Sequence, residues 1–269
     1  MITELGIILA IFFADTTKRP ELFFGGVFAS YAGTYGAPFL AWYDWRMAQG
    51  WRLFDDGREW KQMDKLGHVW TTYHLSWVYH DWARFCGYSP AAARRLGAVL
   101  AWSFQTSIEL VDGFFPKWGA SLWDALSNTV GSGIFWINTL SSPWRVDVRF
   151  SFFPSPYAAQ RPEALGRGVS QILKDYNGQT YWLVLLHEKF PLGLAIGHGA
   201  RGLLGGYGRE PISTIRAREH RRWLLSVDPH WELFFKKRRW MMRIFVSIKT
   251  PFPALVYERH AFRVAWIYF

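Results

Sequence analysis

Three short clusters between Trp60 and Gly133 decide how this 269-residue chain reads: Asp64-Lys65-Leu66-Gly67-His68, Glu109-Leu110-Val111-Asp112-Gly113, and Ser121-Leu122-Trp123-Asp124 followed by Asn128. Each sits on or beside an apolar run long enough for a helix. Asp64 and His68 are four apart and share one helical face. Ser121, Asp124, Asn128 and Ser132 step by three, four and four, a single helical stripe. Glu109 and Asp112 close the apolar run that begins at Leu96. Three helices thus carry polar faces in surroundings rich in Trp, Leu and Val, and those faces are expected to meet, with His68, Glu109, Asp124 and Asn128 in mutual reach.

The flanking signals agree with helices there. Asp64 has the residue type of an N-cap for a first helix ending near Cys86. Ser89-Pro90 starts a second, with Ser89 as N-cap and Pro90 at the first helical position, and Gly113 and Pro116 end it. Ser121 and Asp124 stand where a capping box would place them at the head of a third. Capping alone accounts for Ser121 and Asp124, but not for Asn128.

Outside this region the texture differs. Residues 1–21 are mostly apolar, with Leu5 to Ala14 as a weak signal-like run. Residues 22–58 read either as one membrane helix over 22–45 or as a hairpin. The glycines at 25, 26, 33 and 36 and Pro38 favour the hairpin, with strands Leu22–Tyr31 and Tyr35–Trp45. After Pro143 the period falls to two. Strands are expected over Arg145–Phe153, Gln179–Glu188, Leu192–Leu204 and Arg221–Asp228, with a terminal hairpin of Ala254–Glu258 and Phe262–Phe269. On the third of these, Gly193, Ala195, Gly197 and Gly199 make a face that something must approach closely. The fold class is therefore α+β, a helical unit over about 59–142 joined to an antiparallel β region over 143–269. About eight strands of eight to eleven residues, ending on an aromatic, also fit the smallest membrane β-barrels.

Composition narrows the partners. Seventeen Trp, 19 % aromatic residues and a net charge of +10, at a mean hydropathy of −0.04, suit an interfacial protein or an aromatic-rich domain. Basic residues cluster at Arg216, Arg218, Arg221 and Arg222 and again at Lys236, Lys237, Arg238 and Arg239. Membrane lipid or lipopolysaccharide phosphates are the expected partners for these runs. No nucleic-acid motif accompanies them, and solvated loops would read the same. Cys86 is the single cysteine. It allows no internal disulfide and supplies no lipobox, and it reads as a small core residue.

The string Glu59-Trp60-Lys61-Gln62-Met63-Asp64-Lys65 with Gly67-His68 resembles the YfiM-like family of uncharacterised envelope proteins. So do Glu109, Asp112-Gly113, Trp118-Gly119-Ala120-Ser121, Asp124, Asn128 and Gly131. Leu173-Lys174-Asp175-Tyr176-Asn177-Gly178-Gln179-Thr180-Tyr181-Trp182 resembles the long form of that family from Bacteroidetes-like bacteria. The helical part is also similar to VanZ-like membrane proteins. The resemblance implies a location in the bacterial cell envelope, at the outer membrane or its periplasmic face. It implies no activity, cofactor or catalytic residue.

Two function classes follow. The first is structural or partner-binding at a membrane, including membership of an envelope complex, in which the polar faces are mutually paired because unpaired buried polar groups are costly. A Lys65 ion pair with Glu109 or Asp124 would suffice. The second is chemical: His68 with Asp64, Glu109, Asp112 and Asp124 offers one imidazole and four carboxylates for a divalent metal or for acid–base hydrolysis of an envelope lipid or glycan. Lipid binding without chemistry is a third reading. No His-Glu-x-x-His, phosphate loop or nucleophile elbow is present.

Overall fold

The computed structural model describes residues 18–35, 45–116, 118–205, 219–235 and 239–269. The chain divides into two compact units, Met1–Leu53 with Leu75–Ala120, and Phe54–His74 with Ser121–Phe269. The first holds helix α1 (Pro20–Tyr35), the second half of α2 (Met63–Phe85) and α3 (Pro90–Asp112). Its core gathers Phe23, Val27, Tyr79, Ala83 and Cys86, so the lone cysteine is a packed core residue, as its sequence context indicated. Ser89 accepts from Ala92 N at 3.2 Å and so caps α3.

The second unit holds the start of α2, helix α4 (Leu122–Asn138) and one antiparallel sheet in the order β1-β2-β3-β4-β5-β6. The strands are Trp144–Phe152, Gln179–His187, Leu192–Arg201, His220–Pro229, Phe252–Glu258 and Ala261–Tyr268. The α+β class and the period-two reading of the C-terminal half hold. The glycine face of β3 also behaves as expected: a Cβ at Gly197 would lie 2.7 Å from the Trp182 ring.

Three expectations are corrected. Residues 22–31 are not a strand, because Pro20 at the first helical position starts a helix that runs to Tyr35. The second strand of that hairpin falls almost wholly outside the described residues. The sheet has six strands and does not close into a barrel. The reason lies on the outward edge of β1. There the Asn138 side chain donates to Val146 O at 2.7 Å and accepts from Val146 N at 3.0 Å. His74 Nε2 donates to Val148 O at 2.6 Å, and Lys249 N donates to Phe150 O at 2.8 Å. Backbone groups that a closing strand would need are thus already bonded. Finally, α2 starts at Met63, so Asp64 lies in its first turn and not at its N-cap.

The inner face of the sheet packs an apolar cluster that includes Trp182, Val184, Leu186, Leu224 and Val256, with a buried charged network beside it. Arg149 is fully buried, with Nη2 3.0 Å from Asp147 Oδ2 and Nη1 3.0 Å from Asp228 Oδ2. Arg145 adds a second cation 2.9 Å from Asp147 Oδ1. Burial would raise Asp147, but the two guanidinium charges outweigh it and hold the carboxyl far below its ordinary range. Lys249 lies over the Trp182 ring, 5.1 Å from its centroid, and donates to Val227 O and Thr250 O. Burial lowers its pKa to about 8. The sheet curls enough for Tyr268 of β6 to meet Thr180 of β2, at 3.0 Å between hydroxyls.

Burial also lowers His74 to about 4, against the opposing pull of the Val148 carbonyl and Asp147. Between about pH 4 and the ordinary histidine value of 6.5, the unfolded chain therefore binds a proton that the folded chain does not. Stability rises with pH across that window. Urea unfolding at pH 4.5 and 6.5 should show a wild-type gain of about 1–3 kcal/mol that His74→Gln lacks. Equal gains in the two proteins would refute this role for His74.

Candidate functional site

The site begins with an unusual turn. Trp60, Lys61 and Gln62, directly before α2, take φ of 50°, 53° and 66°, the left-handed region that non-glycine residues avoid. Tertiary contacts hold them there. The Lys61 carbonyl accepts from His198 Nε2 at 3.1 Å, Gln62 Nε2 donates to Gly57 O at 2.7 Å, and the Trp60 ring lies 5.1 Å from that of Tyr176. Strain of this kind marks over-determined positions. Here it sets the first turn of α2, which carries Asp64, Lys65 and His68.

Lys65 is the centre of the cluster. Its Nζ lies 2.6 Å from Asp56 Oδ2, 2.9 Å from Asp64 Oδ2 and 2.6 Å from Asp124 Oδ1. Desolvation would lower the ammonium pKa, but the three carboxylates raise it instead, so Lys65 is a permanent cation. Ser121 caps α4 by accepting from Asp124 N at 3.1 Å, and its hydroxyl donates to Asp56 Oδ1 at 2.5 Å. The capping expectation therefore holds for Ser121, while the Asp124 carboxylate turns to Lys65 and His68. His68 Nδ1 lies 3.0 Å from Asn128 Oδ1, and Nε2 lies 3.7 Å from Asp124 Oδ1. Thr72 also donates to Asn128 Oδ1, at 3.1 Å. Tyr176 donates its hydroxyl to Asp64 Oδ1 at 2.8 Å.

Close helix packing makes this possible. A Cβ on Gly131 would fall 2.5 Å from Val69 O, so only glycine lets α4 approach α2 closely enough for Asn128 to reach His68 and Thr72. Asp64, Lys65, His68, Ser121, Asp124 and Asn128 are thus brought together as their spacing predicted. Of the two candidate partners for Lys65, Asp124 is in contact. Glu109 and Asp112 belong to the other unit: Glu109 is buried on α3, its carbonyl accepting from Gly113 N at 3.1 Å, and Asp112 ends that helix. Asp56 and Tyr176 were not predicted. Asp56 sat in what read only as a turn, Asp55-Asp56-Gly57, and Tyr176 is distant in sequence with no periodicity to mark it. Among the basic runs, Arg222 is no loop residue. It is buried on the inner face of β4, and burial lowers its pKa. Arg216, Arg218 and Lys236 to Arg238 lie outside the described residues.

The two helix-borne carboxylates diverge electrostatically. Burial would raise Asp64, but Lys65 and His68 hold it at about 2. Burial raises Asp124 to about 7, and the Asp64 charge adds to that rise. The two carboxylates thus differ in proton affinity, the electrostatic setting of an acid–base pair, and the Lys65 ammonium 2.6 Å from Asp124 Oδ1 opposes the rise at Asp124. Among the described residues, Asp64, His68 and Asp124 also place one ligand atom each within 4.8 Å of one another, a spacing open to a metal ion.

Residues 48–139, about a third of the chain, match a family model described as a predicted periplasmic lipoprotein (DUF2279). This segment contains every cluster residue except Tyr176. No curated protein and no solved structure matches the chain.

Removing Lys65 should leave three buried or half-buried carboxylates with no ammonium between them. Lys65→Met should cost about 3–5 kcal/mol in chemical denaturation. Lys65→Met with Asp124→Asn should cost less than the sum of the two single changes, because one carboxylate has been neutralised. Strict additivity would mean that Lys65 and Asp124 do not interact.

Proposed function

We propose that this is a cell-envelope protein held against a lipid surface by the outer face of its sheet, where it serves a structural or partner-binding role. One observation carries the reading. The row Val148, Leu183, Ile196, Leu225, Leu255 and Val264 crosses all six strands in direct register. The next row, Val146, Leu185, Leu194 and Val227, is aliphatic too. Apart from the two β1 valines, these side chains are 37–57 % exposed.

A sheet in water places its apolar side inward and its polar side outward. Here both faces carry apolar side chains: Trp182, Val184, Leu186, Leu224 and Val256 lie inside together with Arg149, Asp147, Asp228 and Lys249, and the outer face is aliphatic as well. An apolar face of this extent is rare on a protein surrounded by water. Aromatic residues bracket the aliphatic rows. On one side Trp223, Tyr257 and Phe262 form a cross-strand row, which continues into Phe150, Tyr181 and His198 where these pack beneath the start of α2. Trp144, His187 and Phe190 stack at the other end, with centroids 4.6 and 5.4 Å apart. Aromatic belts of this kind sit at lipid headgroups. Exposed Arg221 follows Trp223 on the outer face, and the β5–β6 turn carries Arg259 and His260, a basic rim suited to anionic lipid. No described helix is long and apolar enough to cross a membrane. The periplasmic lipoprotein description of residues 48–139 supports the envelope location. A second reading, acid–base hydrolysis of an envelope lipid or glycan, draws on the split between Asp64 and Asp124.

Flotation with phosphatidylethanolamine–phosphatidylglycerol vesicles tests the lipid reading. Wild-type protein should float, stay bound at high salt, which screens charge, and be released by detergent. Ile196→Asp with Leu225→Asp should leave most of the protein at the bottom of the gradient with its circular dichroism unchanged. Equal flotation of the double variant, or release of wild type by salt alone, would end this reading.

A further inference from the structure

We propose that Asp64, His68 and Asp124 bind one divalent transition-metal cation, with zinc the ion best suited to one imidazole and two carboxylates. The inference is independent of the lipid-facing sheet. Asp64 and His68 share one face of α2, and Asp124 faces them from the first turn of α4. Their three ligand atoms lie within 4.8 Å of one another. Metal–ligand bonds of about 2.0–2.2 Å bring such atoms about 3–4 Å apart, so small side-chain rotations close the set.

Two further observations point to a cation. Asp124 is 4 % exposed, and its Oδ1 is directed into the cluster. What it meets is the Lys65 ammonium at 2.6 Å and, at 3.7 Å, His68 Nε2. The second concerns the ring. The Asn128 carbonyl oxygen can only accept, so His68 Nδ1 is the donor in that 3.0 Å bond, and the neutral ring then presents its Nε2 lone pair toward Asp124. A carbonyl that fixes the remote ring nitrogen is the usual support of a metal-bound histidine. Tyr176 does the same for Asp64, donating at 2.8 Å.

Charge gives the valence. Asp56, Asp64 and Asp124 bring three negative charges to Lys65, which supplies one positive charge, leaving a surplus of two when His68 is neutral. One divalent ion cancels that surplus, and Lys65 keeps its contact with Asp56. Solvent reaches the site along Asp64, whose side chain is 27 % exposed.

The test is titration of the full-length chain, stripped with chelator, first with Co²⁺ and then with Zn²⁺. Wild type should take up one Co²⁺ per chain with visible absorption, and Zn²⁺ should displace it. Its melting temperature should rise with Zn²⁺ and fall on adding EDTA. His68→Gln and Asp124→Asn should each weaken uptake at least tenfold while far-ultraviolet circular dichroism stays native. Asn128→Ala should weaken it by about 10–100-fold, as loss of a ligand's support does. Folded wild type that takes up neither ion overturns the site, as does folded His68→Gln that binds as tightly as wild type. If the ligand variants fail to fold, wild-type uptake and its response to Asn128→Ala decide the matter: a one-to-one cobalt spectrum weakened by that change supports the site, and an unchanged one overturns it.

Discussion

Arg149 fixes which way the sheet faces. A guanidinium cannot give up its proton, so burying one requires anions brought to it, and Asp147 and Asp228 come from strands on either side of the curled sheet. Such an arrangement adds little net stability, since the desolvation of each ion offsets the attraction. What it does is make every inward position between those strands expensive for a slipped register. With the charges committed inward, the alternation of the strands sends Leu183, Ile196, Leu225, Leu255 and Val264 outward together.

The same logic of satisfied polar groups explains where the sheet stops. Asn138 acts as a short substitute strand for Val146, and His74 and Lys249 complete the edge through one carbonyl each. Lys65 is the helical counterpart of Arg149: one cation around which Asp56, Asp64 and Asp124 are arranged. The difference is the charge count. Arg149 meets two carboxylates with Arg145 and Lys249 close by, whereas Lys65 faces three. With Glu232 on Arg145, the inner sheet network sets three carboxylates against its three cations, whereas the helical cluster sets three against one. On the reading proposed above, the cluster is the place for a bound cation and the sheet the place for contact with surroundings.

Much of this was legible in the sequence because it is periodic. Asp64 with His68, and Ser121 with Asp124 and Asn128, obey helical spacing, and Ser89-Pro90 and Ser121 carry their own capping chemistry. The alternation after Pro143 located all six strands, and the small residues of β3 announced the close approach of Trp182. Residues 22–31 misled because their glycines were weighed above Pro20, which starts a helix. Closure into a barrel was unreadable for a different reason: the groups that occupy the β1 edge are side chains from 138 and 74 and a backbone amide at 249, none marked by local pattern. Asp56 and Tyr176 reach Lys65 and Asp64 only through tertiary folding. The cross-strand rows depend on register, which sequence alone does not give, so the aliphatic outer face emerged only once the strands were paired.

The most direct test of the apolar outer face is the environment of its central row. A nitroxide on a cysteine placed at Ile196 or Leu225, with Cys86 replaced by alanine, reports collisions with apolar oxygen and with a polar nickel chelate. On lipid vesicles the account predicts that both positions become more accessible to oxygen and less accessible to nickel than in detergent-free solution, while a label at exposed Arg221 stays accessible to nickel. If Ile196 and Leu225 meet nickel as readily with vesicles as without them, the outer face does not lie in lipid and the account is wrong.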